Sequence, residues 1–355
     1  MPFIPHNRLT FGDAECEAVA ETVRSGQWAQ GPKVQELESA LAAMAGVRYA
    51  VCVSSGFSAL RLSLGALGIQ SSDMVVVPAY CCVALANAAL AWGANPVPAD
   101  VEPLGWNADP QTFRKAIAEF RPRAAIAVDT FGTPCELDEL LSTGVPVIED
   151  CAHAFGLRVG EKWLGSRAKI GVLSFYATKL IGGGEGGAVL TDSREIADYI
   201  KATRDYGDQP PAAYRMNDKM NDLEASLVLT QLKRLPELIA ARERLARRYI
   251  ERLSAKWAGH IFRLTENRGP RVWYRFVVEM LAGPAKTVVE ELQRAGVQAA
   301  IPVEDWRPDV SPLAPVADRA YRRLVSLPLY PSLAEVEQDA VVEAFLRLCE
   351  DYARA

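Results

Sequence analysis

The chain has 355 residues, of which 50% are hydrophobic and 23% are charged, and 39 Lys and Arg against 44 Asp and Glu leave a net charge of −5. These values are typical of a folded protein with two domains or one large one, and they exclude a disordered chain. No block of basic residues is present, so a nucleic-acid partner is not expected.

The cysteines and histidines do not have the spacing of a metal site. Seven cysteines and three histidines are scattered along the chain without a CxxC pair, so neither a disulfide framework nor a metal site is expected. The N-terminal sequence MPFIPHNRLTF lacks the order of a secretory signal, and no apolar run reaches the roughly 18 residues of a membrane span. We therefore expect a cytoplasmic protein with no membrane partner.

From residue 12 to residue 192, helical patterns alternate with short apolar runs. Helices are predicted at 13–25 and 32–45, and the glycines that follow them, Gly26 and Gly46, suit left-handed helix ends. Several apolar runs have β-branched residues in succession, so the pattern predicts an α/β fold whose mostly parallel central sheet is covered on both faces. The predicted strands are 49–55, 74–79, 95–101, 123–129, 145–150, 172–177 and 187–191, and further helices are predicted at 57–67, 82–92, 109–120 and 136–142.

Beyond residue 192 the sequence becomes more helical and more charged. One long amphipathic helix is predicted at 238–255, followed by a strand at 272–280 and a helix that ends at Gly296. A last helix is predicted to begin at a capping box formed by Ser332 and Glu335. This pattern predicts a large domain over 1–240 and a small α+β domain over 241–355.

A single lysine follows one of the predicted strands of the sheet. Lys179 comes just after the apolar run at 172–177, and five glycines lie between residues 182 and 187. A neutral lysine amine can attack a carbonyl to form a Schiff base, and glycines let the backbone approach a flat ligand closely. The alternative is a flexible hairpin with a solvated lysine.

A carboxylate and a histidine follow another predicted strand. The run VPVIED ends at Asp150, and His153 comes three residues later. A carboxylate at a strand end can keep a pyridine nitrogen protonated, and His153 can lie over or beside the same ring. The alternatives are that Asp150 is a helix cap and that His153 is a core residue.

Two further segments place polar residues before a helix. Ser55, Gly56, Phe57 and Ser58 open the helix after the first strand, where backbone N–H groups and hydroxyls can hold a phosphate. Asn217 precedes a later amphipathic helix in the sequence MNDKMND. For both segments the alternative is an ordinary helix cap.

Taken in order, these segments resemble the DegT/DnrJ/EryC1/StrS aminotransferases. The resemblance begins with SGQWAQGPKVQELE at 25–38 and continues through the SSG turn and EDCAHAFG. It continues in SFYATK with GEGG, in NDKMND and in LPLYPSL at 327–333. It implies the aspartate-aminotransferase fold, also called fold type I, with pyridoxal 5′-phosphate (PLP, or PMP in its amino form) as cofactor.

The resemblance also implies roles for individual residues. Lys179 corresponds to the lysine that forms a Schiff base with the cofactor, and Asp150 to the carboxylate that pairs with the pyridinium nitrogen. His153 corresponds to a residue near the cofactor ring, and Ser174 to a serine that binds the phosphate. Asn217 corresponds to an asparagine that reaches the phosphate of the partner subunit, which implies a homodimer with shared active sites.

The sequence departs from the family pattern at three places. Gly56-Phe57 replaces the usual Gly-Thr of the phosphate turn, so Ser58 or backbone N–H groups are expected to replace the hydroxyl. Cys82 occupies the position of the usual ring-stacking aromatic residue, which leaves Tyr80 or the Cys82 sulfur to cover that face of the ring. At the third place, Trp306 and Arg307 differ from the family pattern, and both are expected near the acceptor pocket.

The resemblance implies transamination in two half-reactions. The expected donor is an amino acid, glutamate by resemblance, and the expected acceptor is a nucleotide-linked keto sugar. Relatives that dehydrate their substrates carry histidine in place of the lysine, so Lys179 favours transamination. A keto-cyclitol or another ketone of an antibiotic pathway is the alternative acceptor, and a non-catalytic PLP-binding regulatory protein is the alternative class.

Overall fold

The structure is a computed structural model that describes residues 3–207, 215–254, 258–264, 269–307 and 314–354. In these residues the strands form one large sheet, one small sheet and one hairpin. The strands are β1 (Tyr49–Val53), β2 (Met74–Pro78), β3 (Asn95–Ala99), β4 (Ala124–Val128), β5 (Val147–Asp150), β6 (Arg158–Val159), β7 (Lys162–Trp163), β8 (Ile170–Ser174), β9 (Gly187–Thr191), β10 (Phe262–Leu264), β11 (Phe276–Met280) and β12 (Leu324–Leu327).

The central sheet is mostly parallel, which confirms the predicted fold class. Its strand order is β1-β9-β8-β5-β4-β2-β3, and all pairs from β8 to β3 are parallel. Strand β9 runs antiparallel to both β1 and β8. Because β4, β5 and β8 are parallel neighbours, their carboxyl ends lie at one edge, where Val128 pairs with Asp150 and Asp150 with Val172.

Helices cover both faces of the sheet. As predicted, α1 ends before Gly26 and α2 ends before Gly46, and both glycines have positive φ angles. No helix in the described ranges has both the length and the apolar character that crossing a membrane requires. The helices are α1 (Asp13–Ser25), α2 (Pro32–Ala45), α3 (Gly56–Ala66), α4 (Val83–Leu90), α5 (Pro110–Phe120), α6 (Leu137–Leu141), α7 (Arg194–Thr203), α8 (Asp222–Ser254), α9 (Ala285–Arg294), α10 (Pro315–Arg323) and α11 (Glu335–Arg354), with a 3₁₀ turn at Thr130–Gly132.

Helix α8 is longer than the predicted helix at 238–255. It begins at Asp222 and continues through Pro236 to Ser254, whereas residue 255 lies outside the described residues. A proline inside a helix costs about 3 kcal/mol because it removes one backbone hydrogen bond. Here the flanking Leu235 and Leu238 are buried, and this packing keeps the helix continuous.

Two other boundaries differ from the sequence predictions. Helix α11 begins at Glu335 and not at Ser332, because the N–H of Ala334 donates to the Glu337 carboxylate at 2.9 Å and makes Ala334 the cap. The strand predicted at 272–280 is shorter, since regular pairing in β11 begins only at Phe276. The residues before Phe276 therefore lie outside the strand pairing of β11, and they contribute to the site described below.

Two groups of elements have their own hydrophobic cores. Leu235 of α8 packs in the core beneath the central sheet, whereas Tyr249 of α8 packs with Phe276 and Phe345 around the small sheet β10-β11-β12. The predicted boundary at residue 240 falls within this continuous helix. The division into domains over 1–240 and 241–355 therefore stays a prediction.

Candidate active site

A cavity of about 230 Å³ opens at the carboxyl edge of β4, β5 and β8. Thr130, Val172, Tyr176 and Val303 form part of its wall. The structure brings together eight of the ten residues that the sequence predicted for the site. These eight are Gly56, Phe57, Tyr80, Cys82, Asp150, His153, Ser174 and Lys179.

Asp150 is the last residue of β5 and presents a buried carboxyl group to the cavity. Its Oδ1 atom accepts a hydrogen bond from the N–H of Ala152 at 2.9 Å. Burial raises the pKa of Asp150, while the Ala152 hydrogen bond and the charge of Lys179 oppose that rise. A cation placed opposite this carboxyl group would therefore stabilise its ionised form.

Lys179 lies in a tight loop after β8. The loop folds back because the N–H of Gly183 donates to the carbonyl of Phe175 at 2.8 Å, and Gly184 has a φ of +91°. The half-buried side chain of Lys179 lines the first cavity and also a second one of about 250 Å³, next to Asn7 and Gln231. Its amine is therefore accessible from two cavities.

His153 is held in a stack of three rings. It lies 4.2 Å from the ring centroid of Tyr274 and 6.0 Å from that of Phe131, nearly parallel to both. Its Nδ1 accepts the N–H of Phe131 at 3.4 Å. The Tyr274 ring thus packs against His153, which also lines the cavity. Burial, together with the charges of Lys179 and Arg275, holds the pKa of His153 well below its usual value.

The first turn of α3 and the end of β8 form a close contact. Ser55 caps the helix, accepting the N–H of Ser58 at 3.0 Å. A Cβ added to Gly56 would lie 2.8 Å from the Cβ of Ser174, so only glycine allows this approach. The first N–H groups of a helix have no acceptor within the helix. These groups and the Ser174 hydroxyl are suited to bind an anion.

Ser58 and Asn217 do not line the cavity in the single chain. The Ser58 hydroxyl is buried and donates to Asp218 at 2.9 Å, and Asp218 also forms an ion pair with Arg61. The side chain of Ser58 is thus engaged within the protein. Asn217 is exposed, in an extended segment held by hydrogen bonds from the backbone of its neighbours to Thr203 and Arg204.

The remaining predicted residues occupy different parts of the wall. Tyr80 is fully buried, and its hydroxyl has no hydrogen-bond partner among the residues that the structure covers. Cys82 is exposed at the start of α4. Arg307 forms ion pairs with Asp305 and Asp318. Neither Arg307 nor its neighbour Trp306 lines the cavity.

The cavity fits a phosphorylated pyridine aldehyde. The Gly56 turn offers anion-binding groups, Asp150 offers a buried carboxyl group for a ring nitrogen, and Lys179 offers an amine for an aldehyde. The Tyr80 hydroxyl, which has no hydrogen-bond partner among the described residues, is a polar group that a bound ligand could satisfy. The chemical types along the wall therefore match the groups of such a cofactor.

Sequence reasoning did not identify Phe131, Tyr274 and Arg275 around His153. Tyr274 and Arg275 lie in the apolar run VWYRFVVEM, where an arginine among apolar residues was an available signal. Phe131 has a positive φ of 51°, which is rare for a residue with a side chain and marks a constrained turn. No pattern in the sequence predicted that turn.

The fold and the cavity define the chain as an α/β protein built around a lysine and a carboxylate at one sheet edge. The model of the DegT/DnrJ/EryC1/StrS aminotransferase family matches residues 10–346, so the chain belongs to that family. It is accordingly a pyridoxal-phosphate-dependent aminotransferase of fold type I.

Similar proteins match the chain over nearly its full length. It is 33% identical to the spore coat polysaccharide biosynthesis protein SpsC of Bacillus subtilis (strain 168), over 96% of each chain. Among solved structures, DesV of S. venezuelae is 28% identical over 99% of each chain, with a TM-score of 0.89. TlmJ of Streptoalloteichus hindustanus is 28% identical over 100% of each chain, with a TM-score of 0.90.

Proposed function

We propose that the enzyme transfers an amino group from glutamate to the ketone of a nucleotide-linked keto sugar. The observation that carries this proposal is that Lys179 and Asp150 face one cavity beside the anion-binding turn at Gly56. The similarity to SpsC, which is named for polysaccharide biosynthesis, favours a sugar as the acceptor. The proposal places the enzyme in aminosugar biosynthesis and in the cytoplasm.

Lys179 and Asp150 carry the catalytic roles in this proposal. When bound, pyridoxal phosphate supplies a ring that can take up the electrons of a deprotonated carbon. Asp150 keeps the ring nitrogen protonated, and each unit by which it raises the pKa of that nitrogen corresponds to about 1.4 kcal/mol. Lys179 would hold the cofactor through its aldehyde group, and its free amine would accept the proton of the donor Cα as a general base.

The remaining residues of the site orient the cofactor. Ser174 and the backbone N–H groups of Gly56 and Phe57 bind the phosphate. His153, Tyr80 and Cys82 line the same cavity and would contact the ring of the bound cofactor.

Two predicted residues act outside the wall of the cavity. Ser58 supports the phosphate turn through Asp218. Exposed Asn217 reaches the phosphate of a second subunit, which makes the enzyme a homodimer.

The first experiment adds glutamate to the purified protein loaded with pyridoxal phosphate. The visible absorbance of the lysine-bound cofactor should disappear, and a non-catalytic binder would leave it unchanged. Nucleotide keto sugars and keto-cyclitols are then added to the converted protein, and the products are identified by mass spectrometry. An aminated keto-cyclitol without an aminated sugar would contradict the proposed acceptor.

The second experiment tests the lysine by borohydride reduction and peptide mapping. The cofactor should be trapped on residue 179 of the wild type and should not be trapped in Lys179→Ala. Lys162→Ala is the matched control, because Lys162 is exposed on the β6–β7 hairpin. Trapping at another lysine in Lys179→Ala would show that the assignment is wrong.

The third experiment replaces Asp150 by asparagine, which keeps the shape of the side chain but removes its charge. The half-reaction with glutamate should slow by at least about 100-fold, as is typical for loss of a group that stabilises charge in the transition state. The cofactor should still be trapped on Lys179. A rate within a few fold of the wild type would contradict the role of Asp150.

A further inference from the structure

The carboxylate of Asp218 is buried beside the turn that opens α3. It accepts a hydrogen bond from the Ser58 hydroxyl at 2.9 Å and a longer one from the Ser54 hydroxyl at 3.5 Å. It also forms an ion pair with Arg61, about one turn further along α3. Because a buried carboxylate is stable only when it is paired and hydrogen-bonded, these contacts hold Asp218 and the first turn of α3 in one arrangement.

The ion pair between Asp218 and Arg61 also reaches the wall of the 230 Å³ cavity. The guanidinium carbon of Arg61 lies 5.6 Å from the ring centroid of Phe57, and Phe57 lines the cavity next to Gly56. A change at Asp218 would therefore free Arg61 and loosen the turn whose N–H groups are suited to bind an anion.

The backbone of Asp218 is fixed from two sides. Its carbonyl accepts the N–H of Ser54 at 2.7 Å, and its own N–H donates to the carbonyl of Arg204 at 2.9 Å. Arg204 is itself buried and pairs with Glu38 at 2.6 Å. Asp218 is therefore bound through its backbone to the end of β1 and through its side chain to the start of α3.

Asn217 is exposed between two buried residues, Met216 and Asp218. The N–H of Met216 donates to the carbonyl of Thr203 at 2.8 Å, so the backbone is anchored on both sides of Asn217. Successive side chains of an extended segment point in opposite directions. One short stretch of backbone thus carries an outward amide at Asn217 and an inward carboxylate that holds the α3 turn.

We propose that Asp218 is a positioning residue that couples the two phosphate sites of the dimer. The inference rests on the proposed function, in which Asn217 reaches the phosphate of a second subunit. A phosphate bound in one subunit fixes Asn217 of the partner subunit, and the adjacent Asp218 of the partner subunit then orders the partner's own α3 turn. The second cofactor meets a turn that is already ordered and binds more tightly than the first, and this coupling is reciprocal.

The test is a titration of the cofactor-free protein with pyridoxal phosphate, followed by calorimetry and by absorbance. In the wild type, the second cofactor should bind at least about 5-fold more tightly than the first, which is the lower end of the usual range for coupled sites. Asp218→Asn keeps the shape of the side chain and removes its charge, and its two intrinsic dissociation constants should be equal. A purely structural role would weaken both binding steps by the same factor and leave their ratio unchanged.

Asp205→Asn is the matched control in the same segment of the chain. In the described residues, Asp205 bonds with Lys219 and Gly207 and with no residue of α3. Its ratio of dissociation constants should equal that of the wild type. Ser58→Ala removes one hydrogen bond to Asp218 and should also lower the ratio. It replaces Asp218→Asn if thermal melting shows that the latter is unfolded.

Sedimentation of the wild type and titration of Asn217→Ala separate the inference from the proposed function. A dimer that binds both cofactors with equal affinity overturns the inference while the proposed function stands, and so does a ratio that a folded Asp218→Asn leaves unchanged. A wild type that is monomeric with bound cofactor contradicts the proposed dimer and overturns the inference with it. Wild-type affinity for the cofactor in Asn217→Ala has the same consequence for the proposed role of Asn217.

Discussion

The amine of Lys179 lies 5.0 Å from the ring centroid of Tyr274, and the ring of His153 stacks 4.2 Å from the same centroid. Lys179 and His153 follow strands of the central sheet, whereas Tyr274 lies just before β11 of the small sheet. Burial alone would raise the pKa of Tyr274, but Lys179 and Arg275 lower it to about 8. The segment just before the small sheet thus places a titratable group next to Lys179.

Replacing Tyr274 by phenylalanine should remove one titration from the cofactor-free protein, in which Lys179 is a free amine. The ring and its stack on His153 remain, but the hydroxyl with a pKa of about 8 is lost. The tyrosinate absorbance of the cofactor-free protein, followed across pH, should show an inflection near pH 8 in the wild type only. Tyr274→Ala should in addition weaken cofactor binding, since it frees His153. An identical inflection in Tyr274→Phe would assign the titration to another group.

Replacing Gly56 by alanine should weaken cofactor binding. The new Cβ would lie 2.8 Å from the Cβ and 3.0 Å from the Oγ of Ser174, so α3 and β8 must separate. We expect the dissociation constant for pyridoxal phosphate, measured by absorbance titration, to rise about 10-fold, since moving a helix end away from an anion forfeits roughly 1 kcal/mol per charge interaction.

The control for this change is Gly12→Ala. Gly12 has an extended φ of −151°, and an added Cβ would only make an ordinary contact with Glu15 at 3.8 Å. Its affinity for the cofactor should equal that of the wild type. Equal affinities for all three proteins would show that the contact between Gly56 and Ser174 does not shape the phosphate turn.

Much of the fold was predictable because the central sheet depends on local patterns. Buried parallel strands are apolar over their whole length, and the left-handed residues after α1 and α2 required glycine. The predicted start of α11 was wrong. Ser332 and Glu335 have the spacing of a capping box, but the carboxylate of Glu337 caps the helix instead. The predicted extent of α8 was too short because tertiary packing outweighed the tendency of Pro236 to break a helix.

The site was predictable where it depends on strand ends and not where it depends on contacts between distant segments. Asp150 and Lys179 follow strands whose pairing brings them to one cavity. The hydroxyl of Ser58 could not be placed, because its acceptor Asp218 is 160 residues away in the chain. The contact of Tyr274 with His153 likewise joins segments that no local pattern relates.

Arg167 pairs with two buried carboxylates next to Asp150, those of Asp129 and Glu149. It donates to Glu149 at 2.6 Å and to Asp129 at 2.9 Å, and both acids are fully buried. Burial and the neighbouring Glu149 raise the pKa of Asp129, while Arg167 opposes that rise. Ligand atoms of Asp129, Glu149 and Cys151 lie within 4.8 Å of one another, but Arg167 already supplies the cation of this cluster. The cluster therefore stabilises the strand ends that carry Asp150.

Arg167→Leu should destabilise the protein by about 3–5 kcal/mol, because two carboxylates lose their buried partner. Without the opposing charge of Arg167, burial should raise the pKa of Asp129 further, so the folded variant binds a proton that the unfolded chain releases. The stability difference between Arg167→Leu and the wild type, measured by thermal melting, should therefore shrink as the pH falls from 8 to 5. Arg24→Leu, which breaks an exposed pair with Glu17, should cost far less stability than Arg167→Leu. A stability difference from the wild type that grows on acidification would contradict this account.

His6 connects the N-terminal segment to the small sheet. Its Nε2 lies 2.9 Å from the hydroxyl of Ser326, and its backbone N–H donates to Gln298 at 3.1 Å. Burial, together with the charges of Arg275 and Arg242, lowers the pKa of His6 to about 3. The folded state therefore holds a neutral imidazole at a pH where an unfolded histidine is already protonated.

His6→Gln should reduce the sensitivity of the protein to mild acid. The unfolded state binds a proton at His6 below about pH 6.5 and the folded state does not, so this group destabilises the fold as the pH falls from 6.5 to 5, by about 1–2 kcal/mol. Thermal melting at pH 7.5 and 5.0 should show a smaller loss of stability in His6→Gln than in the wild type. His260→Gln, at an exposed position, should lose as much stability as the wild type. Equal losses in all three proteins would mean that the imidazole of His6 takes up its proton in the folded state. Burial and the charges of Arg275 and Arg242 should prevent that uptake.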